Sequence, residues 1–309
     1  MLGLGIESTQ FPRPLWIFDN KHSLDFDGST EAIKIQRHSS MITNSFTIGI
    51  WVGDSEAEWD QSSADNAIFG NMDASGFHIF HGYKRIGFSC FVQDPTDETA
   101  YEKVVCQTTY NKMSYALGAG YGASTNFSTG DGGWNLLVGT FDEGEMKLYI
   151  GGGVHNAGNG MGNDLHLVDT QTPAGGGTWN EVSYGAKSYS DDVHFGIAAA
   201  FLNVHETMSI NANIQVDNAF FFNSALPHNV LKTIYNNGEG IDMMAATTGL
   251  GGGDDYTTTH ISYLKCHLRM EEGTGGDGDT IFDTSGNNNS GEIVGSPTWS
   301  DATPERITA

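Results

Sequence analysis

Trp134-Asn-Leu-Leu-Val-Gly-Thr-Phe-Asp-Glu-Gly-Glu-Met-Lys-Leu-Tyr-Ile150 is the stretch that decides the fold. Met146, Leu148 and Ile150 alternate with Lys147 and Tyr149, which is the period of a strand and not of a helix. Trp134–Phe141 and Glu145–Ile150 therefore read as the two arms of a β-hairpin. The turn between them is Asp142-Glu143-Gly144, with the glycine supplying a positive φ.

The same period recurs on both sides of this hairpin. Upstream, Leu24 and Phe26 alternate with Asp25 and Asp27 until Gly28 breaks the run. Phe46, Ile48, Ile50 and Val52 share one face, and Thr47, Gly49 and Trp51 share the other. Downstream, Ile210, Ala212, Ile214 and Val216 alternate with Asn211, Asn213, Gln215 and Asp217. This is the pattern of strands with one face on a core and one face wet. One helix interrupts it. Pro227 sits near its first turn, Val230, Leu231, Ile234 and Tyr235 share a face, and Gly238 stops it. Long Gly/Asn/Ser loops, such as Gly151–Gly162 and Gly175–Asn180, are of the kind that carry function or contact partners.

The chain divides into four parts on this reading. Residues 1–20 form an N-terminal arm with Pro12 and Pro14, too apolar at Phe11, Leu15, Trp16, Ile17 and Phe18 for a free tail. Residues 21–240 form a β-sandwich. Residues 241–261, around Gly249-Leu-Gly-Gly-Gly253, are a Gly/Thr-rich linker. Residues 262–309 add the alternating strand Tyr263–Met270 and an acidic, turn-rich run.

Composition limits the function. The chain has 309 residues, 14 Lys+Arg, 38 Asp+Glu and a formal charge of −24. Such a surface repels phosphate backbones and acidic lipids, so neither nucleic acid nor membrane is an expected partner. The 41 glycines have no three-residue period, so they mark turns and bulges, not collagen. Cys90, Cys106 and Cys266 make no disulfide framework. Cys90 and Cys106 fit neighbouring strands, but buried free thiols, made in a reducing cytosol, are the better reading. The start, Met1-Leu-Gly-Leu-Gly-Ile-Glu7, lacks the basic and apolar regions of a secretion signal.

Three segments carry a family resemblance over roughly residues 21–240. Ser23-Leu-Asp-Phe-Asp-Gly28 resembles the first strand of laminin G-like (concanavalin A-like lectin/glucanase) domains. The Trp134–Ile150 hairpin is similar to their central hairpin. Val216-Asp-Asn218 through Phe222-Asn-Ser-Ala-Leu226 resembles a later strand and the short helix after it. A fourth match, Leu268-Arg-Met-Glu-Glu-Gly273 with Phe282-Asp-Thr-Ser-Gly-Asn287, often precedes the first strand in that family but here follows the domain. It either completes the same sandwich from the other end, the reading preferred here, or begins a truncated second module. The resemblance implies an all-β, concanavalin A-like jelly-roll sandwich of two antiparallel sheets with one short helix. The Met1-Leu-Gly-Leu-Gly5 start and the Gly295-Ser-Pro-Thr-Trp-Ser300 ending are similar to structural proteins of marine tailed phages.

Glucanases of this fold carry two Glu flanking an Asp on one strand, one as nucleophile and one as acid. The matching strand here, Ile214-Gln-Val-Asp-Asn218, has no Glu. Glu143 and Glu145 belong to a turn, where solvated charge is the ordinary state. No catalytic residue is therefore assigned, and no enzyme activity is expected. Other signatures fail. His205-Glu206 is followed by Ser209 where a zincin helix needs His, and Asp283-Thr-Ser-Gly-Asn287 has Val294 where a calcium loop needs Glu. Gly118-Ala-Gly-Tyr-Gly122 and Gly158-Asn-Gly-Met-Gly162 lack the frame of a nucleotide loop.

The resemblance implies one cofactor, a structural calcium ion where the first Asp-Gly turn meets the late strand. Asp27, Gly28 and Asp217 stand at those positions. Asn218 replaces the family's second Asp, and the alternative is that these residues only cap turns. Trp59, Tyr121, Trp179 and Tyr184 lie in polar loops and are candidate sugar platforms or edge-packing residues. The functional expectation is a structural interaction protein of a virion, assembled in the host cytoplasm. It decorates the capsid, with the major capsid protein or other virion proteins as partners and a homo-oligomer such as a trimer as its own assembly. A glycan-binding adhesin or fibre module of the same fold is the alternative, and a glycoside hydrolase stands last.

Overall fold

Ser45–Gly53 (β3) shows how the sequence places the layers. Its Phe46, Ile48, Ile50 and Val52 point to one side and are fully buried. The strand pairs on one side with Asn135–Asp142 (β8), which turns into Glu145–Gly151 (β9) and then pairs with Leu165–Gln171 (β10). On its other side lies Asn213–Phe222 (β15). Beyond β15 come Ser23–Asp27 (β1) and Thr298–Ser300 (β19), and Leu264–Leu268 (β16) also pairs with β15. This is the first sheet. The computed structural model describes residues 20–36, 39–53, 65–71, 76–82, 85–108, 134–151, 164–174, 181–182, 194–202, 207–209 and 211–304.

The second sheet is built from Ala32–Ile35 (β2), Asn66–Gly70 (β4), Phe77–Gly82 (β5), Arg85–Asp94 (β6) and Asp97–Gln107 (β7). Glu181–Val182 (β11), Phe195–Ile197 (β12), Thr280–Ile281 (β17) and Gly291–Val294 (β18) complete it. Every named pairing in both sheets is antiparallel. The molecule is thus an all-β jelly-roll sandwich. A small hairpin of Ala200–Leu202 (β13) and Thr207–Ser209 (β14) sits beside it. Residues 264–300 contribute strands to both sheets, through β16 and β19 to the first and β17 and β18 to the second.

The sheets are joined by a stack of phenylalanines. Phe46 of the first sheet lies 4.1 Å, centroid to centroid, from Phe77 of the second. Phe141 and Phe221 flank Phe46 at 5.7 and 5.6 Å, and Phe88 meets it edge-on at 6.1 Å. Phe195 closes the cluster against Phe77 at 5.7 Å. Each buried ring contributes roughly 1.5–3 kcal/mol through removal from water, and well-oriented ring pairs about 0.5–1.5 kcal/mol more. Cys90, Cys106 and Cys266 lie in this core as free thiols.

The outer face of the first sheet is not wet, which corrects the expectation from alternation. Thr47 and Trp51 of β3 are buried on that face. A second hydrophobic cluster covers it, with Trp51, Leu136, Val138, Tyr149, Phe220 and Phe222 below. Above them lies the helix His228–Tyr235 (α1), which gives Val230, Leu231, Ile234 and Tyr235. Ile241, Met243 and Tyr256 of the Gly/Thr-rich stretch pack into the same cluster. That stretch also carries a second short helix, Thr258–Tyr263 (α2), with a capping box between Thr257 and His260. Pro227 precedes α1 as expected, but the helix ends at Asn236 in the left-handed conformation, two residues before Gly238. The hairpin turn needs two positive φ values, 46° at Glu143 and 97° at Gly144, where one was expected.

Residues 1–19 of the arm, both long loops apart from Gly151, and the aromatic candidates Trp59, Tyr121, Trp179 and Tyr184 lie outside the described residues. So do His205, Glu206, Ile210 and the two Gly-rich runs at 118–122 and 158–162. Among the described residues, no helix is long and apolar enough to cross a membrane.

The second cluster makes a direct prediction. A Cβ added at Gly49 would overlap the ring of Phe220, whereas one at Gly276 would meet only Ser296 Oγ at 4.0 Å. Gly49→Ala is expected to cost about 1–3 kcal/mol in denaturant unfolding through overpacking. Gly276→Ala should stay within about 0.5 kcal/mol of the parent. Equal effects would show that the outer face of the sheet is not packed as described.

Candidate functional site

β15 changes partner halfway along its length. Residues 213–216 pair with β1, and residues 219–222 pair with β16. Asp217 and Asn218 fall in the gap between these two partners. On the other side of the strand, Asp217 faces Trp51 and Phe220 faces Gly49, so one extra residue sits in β15. This is a β-bulge, and Asn218 adopts a left-handed φ of 43° within it. The bulge inverts the alternation. Ile214 and Val216 point into the sandwich, and after it Ala219 and Phe221 do, while Phe220 and Phe222 face the outer cluster.

A strand that loses its neighbour exposes backbone groups that must be satisfied. Beside this gap lies a chain of hydrogen-bonded side chains. Asn20 Nδ2 donates to Asp217 Oδ2, and Asn218 Nδ2 donates to Asp217 Oδ1 at 2.8 Å and to Asn20 Oδ1 at 3.1 Å. His267 Nε2 lies 3.2 Å from Asn218 Oδ1, which can only accept, so Nε2 carries a proton. Thr284 Oγ1 then meets His267 Nδ1 at 2.9 Å. Burial, helped by nearby Arg269, holds the His267 pKa down at about 3, which keeps the ring neutral near pH 7. Burial and then Glu271 push the Asp217 carboxyl well above its ordinary range, against the pull of the Asn218 N–H, the Asn20 side chain and Arg269.

A small open cleft, with room for about one water, adjoins this network. The amides of Asn20 and Asn218 line it, together with Trp51 and the turn Glu239–Gly240. Ile241, Met243 and Pro304 add apolar surface. The turn is set by the end of α1: Gly240 N–H donates to Tyr235 O at 3.1 Å, and Asn236 Nδ2 donates to Gly240 O at 3.1 Å. Gly240 has a φ of 65°, and Trp51 stacks on Tyr235 at 5.7 Å. The two ends of the described chain meet here, because Ser23 Oγ also donates to Ala302 O at 2.6 Å.

The expected calcium ligands do not converge. Asp27 pairs with Asn213, four positions along β15 from Asp217, which is about 13 Å at ~3.3 Å per residue. No single ion reaches both carboxylates. Asp27 instead caps its own turn, accepting from the N–H and hydroxyl of Ser29 and Thr30 at 2.7–2.9 Å, which holds its pKa down at about 2 although what burial it has acts to raise it. Gly28 supplies that turn's positive φ of 72°. Asp283 is likewise saturated by its own loop, accepting from the N–H groups of His267, Ser285 and Asn289 and from Ser285 Oγ at 2.8–2.9 Å. Among the described residues no three His, Cys, Asp or Glu side chains gather so as to hold a metal ion. Sequence reasoning missed Asn20, Trp51, Glu239 and Gly240 as neighbours of Asp217. The one available signal was the break in alternation at Asp217-Asn218.

No protein-family model and no curated protein matches the chain. Among solved structures, the chain is similar to a botulinum neurotoxin serotype D binding domain at 15% identity and a TM-score of 0.41, covering 75% of this chain and 45% of that one. It is similar to the LG1-3 region of the laminin α2 chain at 10% identity and a TM-score of 0.40, covering 68% and 32%. A serotype G binding domain aligns at 10% identity and 0.38, covering 65% and 39%. The chain spans less than half the length of each of these three. The fold assignment rests on the two sheets themselves.

The buried carboxylate fixes a pH dependence. Its folded pKa lies above the unfolded value, so its contribution is complete below about pH 3.9 and is lost as pH rises through the folded pKa. His267, with its folded pKa lowered, contributes above about pH 6.5 and loses this as pH falls toward 3. Asp217→Asn removes the first dependence and keeps the second. The stability of the wild type relative to Asp217→Asn should therefore fall with rising pH, by up to about 1.4 kcal/mol per unit within that window. Chemical unfolding of both proteins from pH 4 to 8 measures this; a constant difference would contradict it.

Proposed function

We propose that this chain is a non-catalytic interaction module of a phage virion, acting as a capsid decoration protein. The observation that carries the non-catalytic part is the state of the carboxylates on the strand and hairpin where an acid pair would stand. Asp217 is fully buried and held by two amides. Asp142, Glu143 and Glu145 sit exposed around the hairpin turn, and Glu145 pairs with Lys147. An acid and a nucleophile facing one substrate bond are not present among the described residues.

The virion placement is supported by the resemblance of both chain ends to phage structural proteins and by the charge of −24, which suits an exposed, soluble particle surface. The partner is then the major capsid protein or another virion protein, with self-association into a trimer as part of the assembly. Purified particles test this. Quantitative mass spectrometry and cryo-electron microscopy should place the protein on the capsid in a copy number matching symmetry-related sites. A tail or fibre location, absence from the particle, or turnover of a β-glucan panel by the purified protein would each overturn the reading.

A further inference from the structure

We propose that the outer edge of β7 takes up an extended strand from a partner protein, one that sets an acidic residue opposite Lys103. Neither the protein's place in a particle nor the cleft beside the β15 bulge bears on this.

β7 has a strand on one side only, β6. In an antiparallel pair, residues alternate between aiming their N–H and C=O at the neighbour and aiming them away. Thr108, just past β7, fixes the phase, because its N–H donates to Ile86 O of β6 at 2.9 Å. Residues 102, 104 and 106 therefore bond to β6, while Tyr101, Lys103, Val105 and Gln107 aim outward. Gln107 bears this out by donating its N–H to Asp169 Oδ2 of β10 at 3.1 Å. Among the described residues nothing meets the outward N–H and C=O groups of Tyr101, Lys103 and Val105. An open row of this kind is a template for one more strand.

The side chains beside that row select the strand. Tyr101, Lys103 and Val105 share one face. Tyr101 is 51% exposed and its ring meets Phe91 of β6 edge-on at 5.8 Å, and Val105 is half-buried. Both offer contact to apolar residues set opposite them. Lys103 between them is exposed, with its Nζ 5.8 Å from the centre of the Phe80 ring. Among the described residues no carboxylate forms an ion pair with it, and Asp65, whose field reaches it, is held by Arg85 at 2.9 Å. An Asp or Glu on the incoming strand is the complement. Glu102 makes no rival claim, since it turns to the other face and accepts the Ala174 N–H.

A second copy of this chain fits the edge poorly. The two-fold register that uses all three outward residues sets Lys103 opposite Lys103, and like charges directly opposite are destabilising. One step one way sets Glu102 opposite Glu102. One step the other way sets Tyr101 opposite Gln107, whose N–H Asp169 already takes. A central lysine on an edge strand guards against such self-pairing.

Nuclear magnetic resonance on the full chain tests this. The probe is acetyl-Thr-Val-Thr-Glu-Thr-Val-Thr-amide, and the comparison peptide carries Lys in place of the Glu. At millimolar concentration the Glu peptide should shift the amide protons of Tyr101, Lys103 and Val105 downfield and slow their exchange, with those of Glu102 and Val104 less affected. The Lys peptide should bind about fivefold more weakly. Lys103→Glu should reverse that preference. Val105→Pro deletes one outward donor and leaves the β6 ladder its bonds, so it should weaken the Glu peptide about tenfold while keeping a cooperative thermal transition. Should Val105→Pro not fold, the charge reversal decides alone. Outward amides left unmoved by the Glu peptide would overturn the proposal. So would equal binding of the two peptides, or a preference that Lys103→Glu leaves unchanged. A dimer in sedimentation equilibrium that Val105→Pro dissociates would overturn it too, by assigning the edge to a second copy.

Discussion

One extra residue in β15 organises much of this molecule. Without the bulge at Asp217-Asn218, the alternation that buries Ile214 and Val216 would carry Phe220 and Phe222 into the sandwich and turn Phe221 outward. With it, Phe221 joins the phenylalanine stack between the sheets at 5.6 Å from Phe46. Phe220 and Phe222 are freed for the outer cluster under α1. A single strand thus serves two hydrophobic cores, and the bulge is the joint between them.

The joint has a polar cost, met by a specific set of side chains. Where β1 ends and β16 begins, β15 has no strand on that side, and Asn20, Asn218, Asp217, His267 and Thr284 form a connected chain in its place. Buried networks of this kind stabilise only when each member is satisfied. That requirement explains why the carboxylate which a glucanase reading would seek on this strand is sealed and turned to a structural task. The same convergence of β1, β15, the end of α1 and the C-terminal residues leaves the cleft beside it.

Much of the fold is legible in the sequence because strand burial writes itself as a period of two. Phe46 through Val52, Leu24 and Phe26, and the hairpin around Glu143-Gly144 lie where that pattern puts them. The outer cluster was harder to read. Trp51 among Thr47, Gly49 and Gly53 looks like one hydrophobic residue on a polar face, and only the packing of α1 and of Tyr256 reveals that the face is covered. The site was harder still. Asp27 and Asp217 were paired by likeness to a family pattern, while the register sets them four positions apart. Asn20, Trp51 and Glu239 come together across distances in sequence that no local spacing encodes. The break at Asp217-Asn218 was visible, and it is the position from which the site could have been found.

The role of the joint can be tested by deleting Asn218. The deletion takes out the extra residue of β15, so Ala219 and Phe221 keep the inner face and Phe220 and Phe222 the outer one. The account predicts a cooperative denaturant transition and a native-like near-ultraviolet circular dichroism spectrum, with some stability lost because the Asn218 side-chain hydrogen bonds are gone. A deletion variant that has lost both the cooperative transition and the native near-ultraviolet spectrum would contradict it.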